Sequence, residues 1–126
     1  MSKVNEYALF IDKVLSAEMR IRNLGMYEDG WNGINSIGAD EKTVSEAVEL
    51  VRLMLKNSTQ KPVISLADDG EINFYWSFGS NILDLGVFGD GYYSYYFHSK
   101  DGEEIFADDK PIKSITDDQI LNIIKV

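Results

Sequence analysis

Two stretches of strict alternation constrain this chain more than anything else in it. Ile72, Phe74, Trp76 and Phe78 alternate with Glu71, Asn73, Tyr75 and Ser77. Tyr93, Tyr95 and Phe97 alternate with Tyr92, Ser94, Tyr96 and His98. A period of two places one set of side chains on each face of a sheet, so both stretches read as half-buried strands. The segment around them, Pro62 to Phe106, divides into five short strands: Val63–Ala67, Glu71–Phe78, Asn81–Phe88, Tyr92–His98 and Glu103–Ala107. The four turns between them are rich in glycine and aspartate, with Asp68, Asp69 and Gly70 forming a hairpin signal. Turns this short join only antiparallel neighbours, which predicts a meander.

Two helical patterns precede the sheet. Residues 3–22 place Val4, Tyr7, Ala8, Ile11, Val14 and Leu15 on one face, while Leu9, Phe10 and Ile21 widen the apolar surface, as if the helix were contacted on two sides. Gly25 is placed to end this helix in a left-handed conformation. Glu41 to Lys56 buries Val44, Ala47, Val48, Val51 and Leu55 and turns Glu46, Glu49, Arg52 and Lys56 outward. Thr43 with Glu46 fits a capping box, with Asp40 as an alternative N-cap. Between the helices, the loop Tyr27–Ala39 carries Trp31, Ile34 and Ile37, which are expected to plug it onto the body. A functional reading of the loop puts Trp31 and Asn32 in a binding site. After the sheet, Thr116 with Gln119 signals a short amphipathic C-terminal helix, with Asp117 and Asp118 suiting its dipole. The expected fold is a single α+β domain over 1–126. It has a five-stranded antiparallel β-meander, two N-terminal helices packed on one face and a short C-terminal helix.

Charge and composition narrow the function classes. The net charge is -9, and it is uneven: residues 1–63 carry 8 Lys/Arg against 9 Asp/Glu, residues 64–126 only 4 against 12. An acidic half repels phosphate backbones and anionic membranes, so we expect no direct nucleic-acid or membrane binding; it favours a basic protein partner, including one that itself binds nucleic acid. A negative surface also serves solubility alone. There is no cysteine, hence no disulfide and no thiolate metal site, which fits a cytoplasmic location. The opening Met1–Glu6 does not read as a signal peptide, and no apolar run reaches bilayer length.

Chemical motifs are missing. His98 is the only histidine, and no serine or aspartate is nominated to activate it. The carboxylates at Asp68, Asp69, Asp101, Glu103, Glu104, Asp108 and Asp109 fall in turns and at strand ends without the spacing of a calcium loop. Gly86, Gly89 and Gly91 lie between strands and do not make a dinucleotide fingerprint. The chain is therefore expected to be a non-enzymatic binding protein without cofactor or metal. What remains is aromatic density. With one face of the sheet given to the helices, Tyr75, Ile82, Phe88, Tyr92, Tyr96 and His98 share the other with Asn73, Asp84 and Ser94. Aromatic surface of this kind marks an interaction site, unless the tail folds back over it. The expected protein-binding residues are Tyr75, Asp84, Phe88, Tyr92, Tyr96 and His98, together with Trp31 and Asn32. Homodimerisation through the tyrosines is a further expectation.

The run Asp29, Gly30, Trp31, Asn32, Gly33 resembles the DGW(D/N)G loop of an uncharacterised group of small bacterial proteins. Their following segment, a proline leading to an Asp-Gly turn and a strand with tryptophan, is matched by Pro62, Ile64, Asp69, Gly70, Ile72 and Trp76; Gly91 and Tyr93–Tyr96 match a third segment. The resemblance spans about residues 27–98. It implies a setting near mobile elements and defence genes, and no activity. Asn32 stands where that pattern favours aspartate, which argues against carboxylate chemistry there. An inhibitor, antitoxin or immunity protein fits this picture. The alternatives are an enzyme with a site near Asp29–Gly33, or a self-associating structural protein.

Overall fold

A computed structural model describes residues 3–55 and 60–124, with side chains from residue 11 onward. Two helices, α1 (Lys3–Leu24) and α2 (Glu41–Leu55), precede β1 (Val63–Leu66), β2 (Ile72–Phe78), β3 (Asn81–Val87), β4 (Tyr92–His98) and β5 (Glu104–Pro111). A 3₁₀ helix (Ile112–Asp117) and α3 (Ile120–Ile124) follow. The strands form one antiparallel sheet in the order β1-β2-β3-β4-β5, the meander that the short turns require. The fold is α+β as the alternation predicts.

One face of the sheet builds the core. Ile72, Phe74, Trp76, Leu83, Leu85, Val87, Tyr93, Tyr95 and Phe97 are all buried, in one cluster with the inward stripes of both helices. Ile112, Ile115, Ile120, Leu121 and Ile124 belong to the same cluster. The chain after the sheet therefore packs on the helical side and leaves the second face open.

α1 turns a different stripe inward than its sequence suggests. Ala17, Ile21 and Leu24 are buried and Val14 is partly so, whereas Leu15 and Met19 are exposed. A helix apolar on two sides does not encode which side faces the sheet; the i, i+4, i+7 set ending at Leu24 is the one that meets α2. The expected contributions of Val4, Tyr7 and Ala8, and the helix end at Lys56, fall outside the described side chains. Gly25 does not take a positive φ. Its role is proximity: a Cβ there would stand 2.6 Å from Val44 Cγ2, so glycine lets the end of α1 touch α2.

At α2 the N-cap is Asp40. Its Oδ1 accepts the Thr43 N–H at 2.8 Å, and these bonds hold its carboxyl below the usual aspartate range. The Thr43 hydroxyl lies 2.8 Å from both Asp40 Oδ1 and the Phe88 carbonyl, tying the helix start to the β3–β4 turn. Glu46 is therefore not a capping-box partner facing water. It is buried against the same turn, where desolvation raises its pKa although the Gly91 N–H donates to it. Asp40→Ala is expected to lower stability by about 1 kcal/mol in urea unfolding; an unchanged midpoint would show that Thr43 caps the helix unaided.

β5 runs to Pro111, well beyond the Ala107 expected from sequence. Tyr95 pairs with Ala107 but Tyr93 pairs with Lys110, so Asp108 and Asp109 both stand opposite Ser94. This is a β-bulge, with Asp109 at φ 52° and its N–H donated to Ser94 Oγ at 3.1 Å. The extra residue reverses the alternation and turns Lys110 to the helical side. There Lys110 Nζ meets Asp118 Oδ2 at 2.9 Å. Asp118 is buried and also accepts the Tyr93 hydroxyl (2.6 Å), the Tyr95 hydroxyl (2.9 Å) and the Ile120 N–H (3.1 Å). Thr116 makes no capping box; its hydroxyl donates to the Lys113 carbonyl. Asp118 itself caps α3 and latches the tail onto the sheet.

Candidate protein-binding face

The register sets out the open face row by row. Val63, Tyr75, Asp84, Tyr96 and Phe106 are directly opposed across all five strands. Beside that row, Ser65, Asn73, Gly86 and Ser94 form a second, and Ser77, Ile82, His98 and Glu104 a third. Exposure is 66% for Val63, 69% for Phe106 and 38% for Tyr75, so water meets large apolar surface along the central row. Phe88 and Tyr92, flanking the β3–β4 turn, are also exposed. Antiparallel sheets tolerate one wet face, but that face is ordinarily polar.

Several side chains are fixed in place. Tyr96 donates its hydroxyl to Glu104 Oε1 at 3.0 Å, and its ring centroid lies 4.8 Å from Phe106 and 6.5 Å from His98. Asp84 is exposed, and its Oδ1 accepts Asn73 Nδ2 at 3.2 Å. Gly86 opens a slot in the face that the Glu71 carboxyl fills: a Cβ on Gly86 would lie 2.4 Å from Glu71 Cδ. Burial in that slot raises the Glu71 pKa, the Asn73 hydrogen bond opposes this, and Asp69 and Asp84 raise it further. A shallow trough of about 600 Å³ runs between Val63, Ser65, Ala67, Asn73, Tyr75 and Asp84. Among the described residues, no lysine or arginine occupies an outward position on the five strands. The face mixes aromatic, aliphatic and small polar side chains with carboxylates.

Of the residues expected from sequence, Tyr75, Asp84, Tyr96 and His98 share this face, and Phe88 and Tyr92 border its end. Trp31 and Asn32 do not join them. Trp31 packs partly on the core, 5.5 Å from the Tyr27 ring, and donates Nε1–H to the Ile37 carbonyl at 3.0 Å. Asn32 Nδ2 donates to Asp68 Oδ1 at 2.8 Å, and Asp29 Oδ1 accepts the Gly38 N–H at 2.9 Å. These bonds fasten the loop to the β1–β2 turn, where Ile37 N–H also donates to the Asp68 carbonyl. Ile34 does not plug anything: it is 97% exposed. Sequence reasoning missed Val63, Glu71, Glu104 and Phe106. Five residues separate His98 from its partner Glu104, one more than the turn expected from sequence, and that extra residue puts Phe106 rather than Ile105 opposite Tyr96.

A concavity of about 1030 Å³ lies on the helical side among Arg22, Met26, Val44, Val48, Arg52 and Lys113. Glu41 and Glu49 also line it, and Glu18 is paired with Arg52, so its charges balance and specify no ligand class. Among the described residues no group of histidines and carboxylates is arranged to hold a metal, and no helix is long and apolar enough to cross a membrane. Comparisons with protein-family models, with curated proteins and with solved structures found no match to this chain.

Proposed function

We propose that this chain is a small acidic protein-binding module that holds a basic protein surface on the open face of its sheet. It would act in the cytoplasm as a non-enzymatic inhibitor, in a bacterial or phage defence, anti-defence or toxin-neutralising setting. One observation supports this reading above the others: the face keeps Val63, Tyr75, Tyr96 and Phe106 in one uncovered row, with no described lysine or arginine at an outward strand position. Aromatic side chains that combine area with a hydroxyl are the residues enriched at protein interfaces. Matched potentials add speed and selectivity to such contacts. The setting rests on the resemblance of the Asp29–Gly33 loop. The alternative of an enzyme site at that loop draws no support from its polar atoms, which are engaged in holding the loop.

A pull-down from bacterial lysate at low salt tests the proposal. The wild type is expected to retain a stable partner that the Tyr92→Ala/Tyr96→Ala double variant loses, with the circular dichroism of the two proteins equal. A wild type that retains nothing, or a double variant that retains the same partner, refutes it. Sedimentation at micromolar concentration is expected to show a monomer; a dimer disrupted by the same substitutions would favour self-association.

A further inference from the structure

We infer that Tyr75, Asp84 and Tyr96 form an anchor for an arginine side chain of the protein partner. This rests on the binding role proposed for the face. The three residues are directly opposed on β2, β3 and β4, so the exposed Asp84 carboxylate stands between two tyrosines, one strand spacing to either side. The site is built rather than merely present. Asn73 Nδ2 holds Asp84 Oδ1, and Glu104, Phe106 and His98 fix the Tyr96 ring. Asp84 and Tyr96 are thus held before binding, which spares part of the ordering cost.

A carboxylate flanked by aromatic faces selects among cations. A guanidinium is planar and weakly hydrated; it can fork onto a carboxylate while its face lies on a ring. An ammonium offers a compact, strongly hydrated charge and fits only the carboxylate. Glu71 and Glu104 beside this row, with no lysine or arginine at an outward strand position to oppose them, attract any basic segment; the tyrosines then discriminate arginine from lysine.

The test is fluorescence anisotropy with a labelled Arg-Gly-Gly repeat peptide and the same peptide carrying lysine at each arginine. On the wild type, the arginine peptide is expected to bind about tenfold tighter than the lysine peptide. Asp84→Asn is expected to weaken the arginine peptide by about tenfold and to erase the preference. Tyr75→Ala reduces the preference. Glu49→Gln, on the far side of the molecule, removes the same charge and changes neither. Equal affinities on the wild type, or a preference that survives Asp84→Asn, overturns the anchor. If the pull-down still yields a tyrosine-dependent partner in that event, the binding role stands and only its arginine chemistry falls. If the preference holds while no partner is retained, the anchor stands and the inhibitory role falls.

Discussion

Asp118→Ala is expected to cost about 3–5 kcal/mol of stability, the range for stripping one member from a buried charged network. The Asp118 side chain is fully buried, and its loss leaves the Tyr93 and Tyr95 hydroxyls facing a void. The Lys110 partner is 39% exposed, so solvent screens that ion pair and the tyrosine hydrogen bonds carry most of the effect. Urea unfolding should show a much lower midpoint; a change of under about 1 kcal/mol would mean that the tail docks through Ile112, Ile115 and Ile120 alone. The same cluster sets the pH response. Burial pushes the Asp118 carboxyl up, but the bonds from Tyr93, Lys110, the Ile120 amide and Tyr95 outweigh it, and the pKa is lowered. The unfolded aspartate titrates near about 4, so the contribution is fully present above that pH and is lost as pH falls through the folded pKa. The phenols work in the opposite sense. Burial and the Asp118 carboxylate raise Tyr93, and push Tyr95 up to about 12. Above roughly pH 10 the unfolded phenols ionise first, and stability falls as pH rises. Asp118→Ala removes the acid limb due to this group.

Gly89→Ala is expected to cost about 3 kcal/mol, far more than the same change at Gly79. Both glycines have positive φ, 84° and 62°. A Cβ on Gly79 meets nothing within 4 Å, so that variant bears only the left-handed penalty of roughly 1–2 kcal/mol. On Gly89 the Cβ would stand 2.6 Å from Thr43 Oγ1 and 2.7 Å from the Thr43 nitrogen, against the backbone at the start of α2. The turn must withdraw, and with it goes the contact between Thr43 and the Phe88 carbonyl. Thermal unfolding of the two variants side by side separates strain from collision. Equal shifts would show that the β3–β4 turn does not bear on the helix.

The sheet was legible because its period is strict and its turns are short. Alternation at Ile72–Phe78 and Tyr92–His98 divides inside from outside without knowledge of any contact, and it placed Tyr75, Asp84, Tyr96 and His98 on one face. The helices were legible as elements but not as surfaces, since Leu15 and Ile21 are equally apolar and only packing against α2 chooses between them. Asp118 read as a first-turn residue suited to the dipole of a short helix. Its burial depends on two tyrosines more than twenty residues earlier, a relation absent from any local pattern. Trp31 and Asn32 read as candidates for binding because an aromatic residue in a polar loop suits either role; their hydrogen bonds to Ile37 and Asp68 assign them to the scaffold.

The bulge at Asp108 and Asp109 is where β5 holds one residue more than β4 can pair. Lys110 stands opposite Tyr93 and Ala107 opposite Tyr95, so loss of one aspartate would straighten the arm and leave the lysine on the helical side. The latch would keep its cation, and the open face would give up one carboxylate. Straightening the arm without shortening it is what would carry the lysine to the open face, opposite Tyr92.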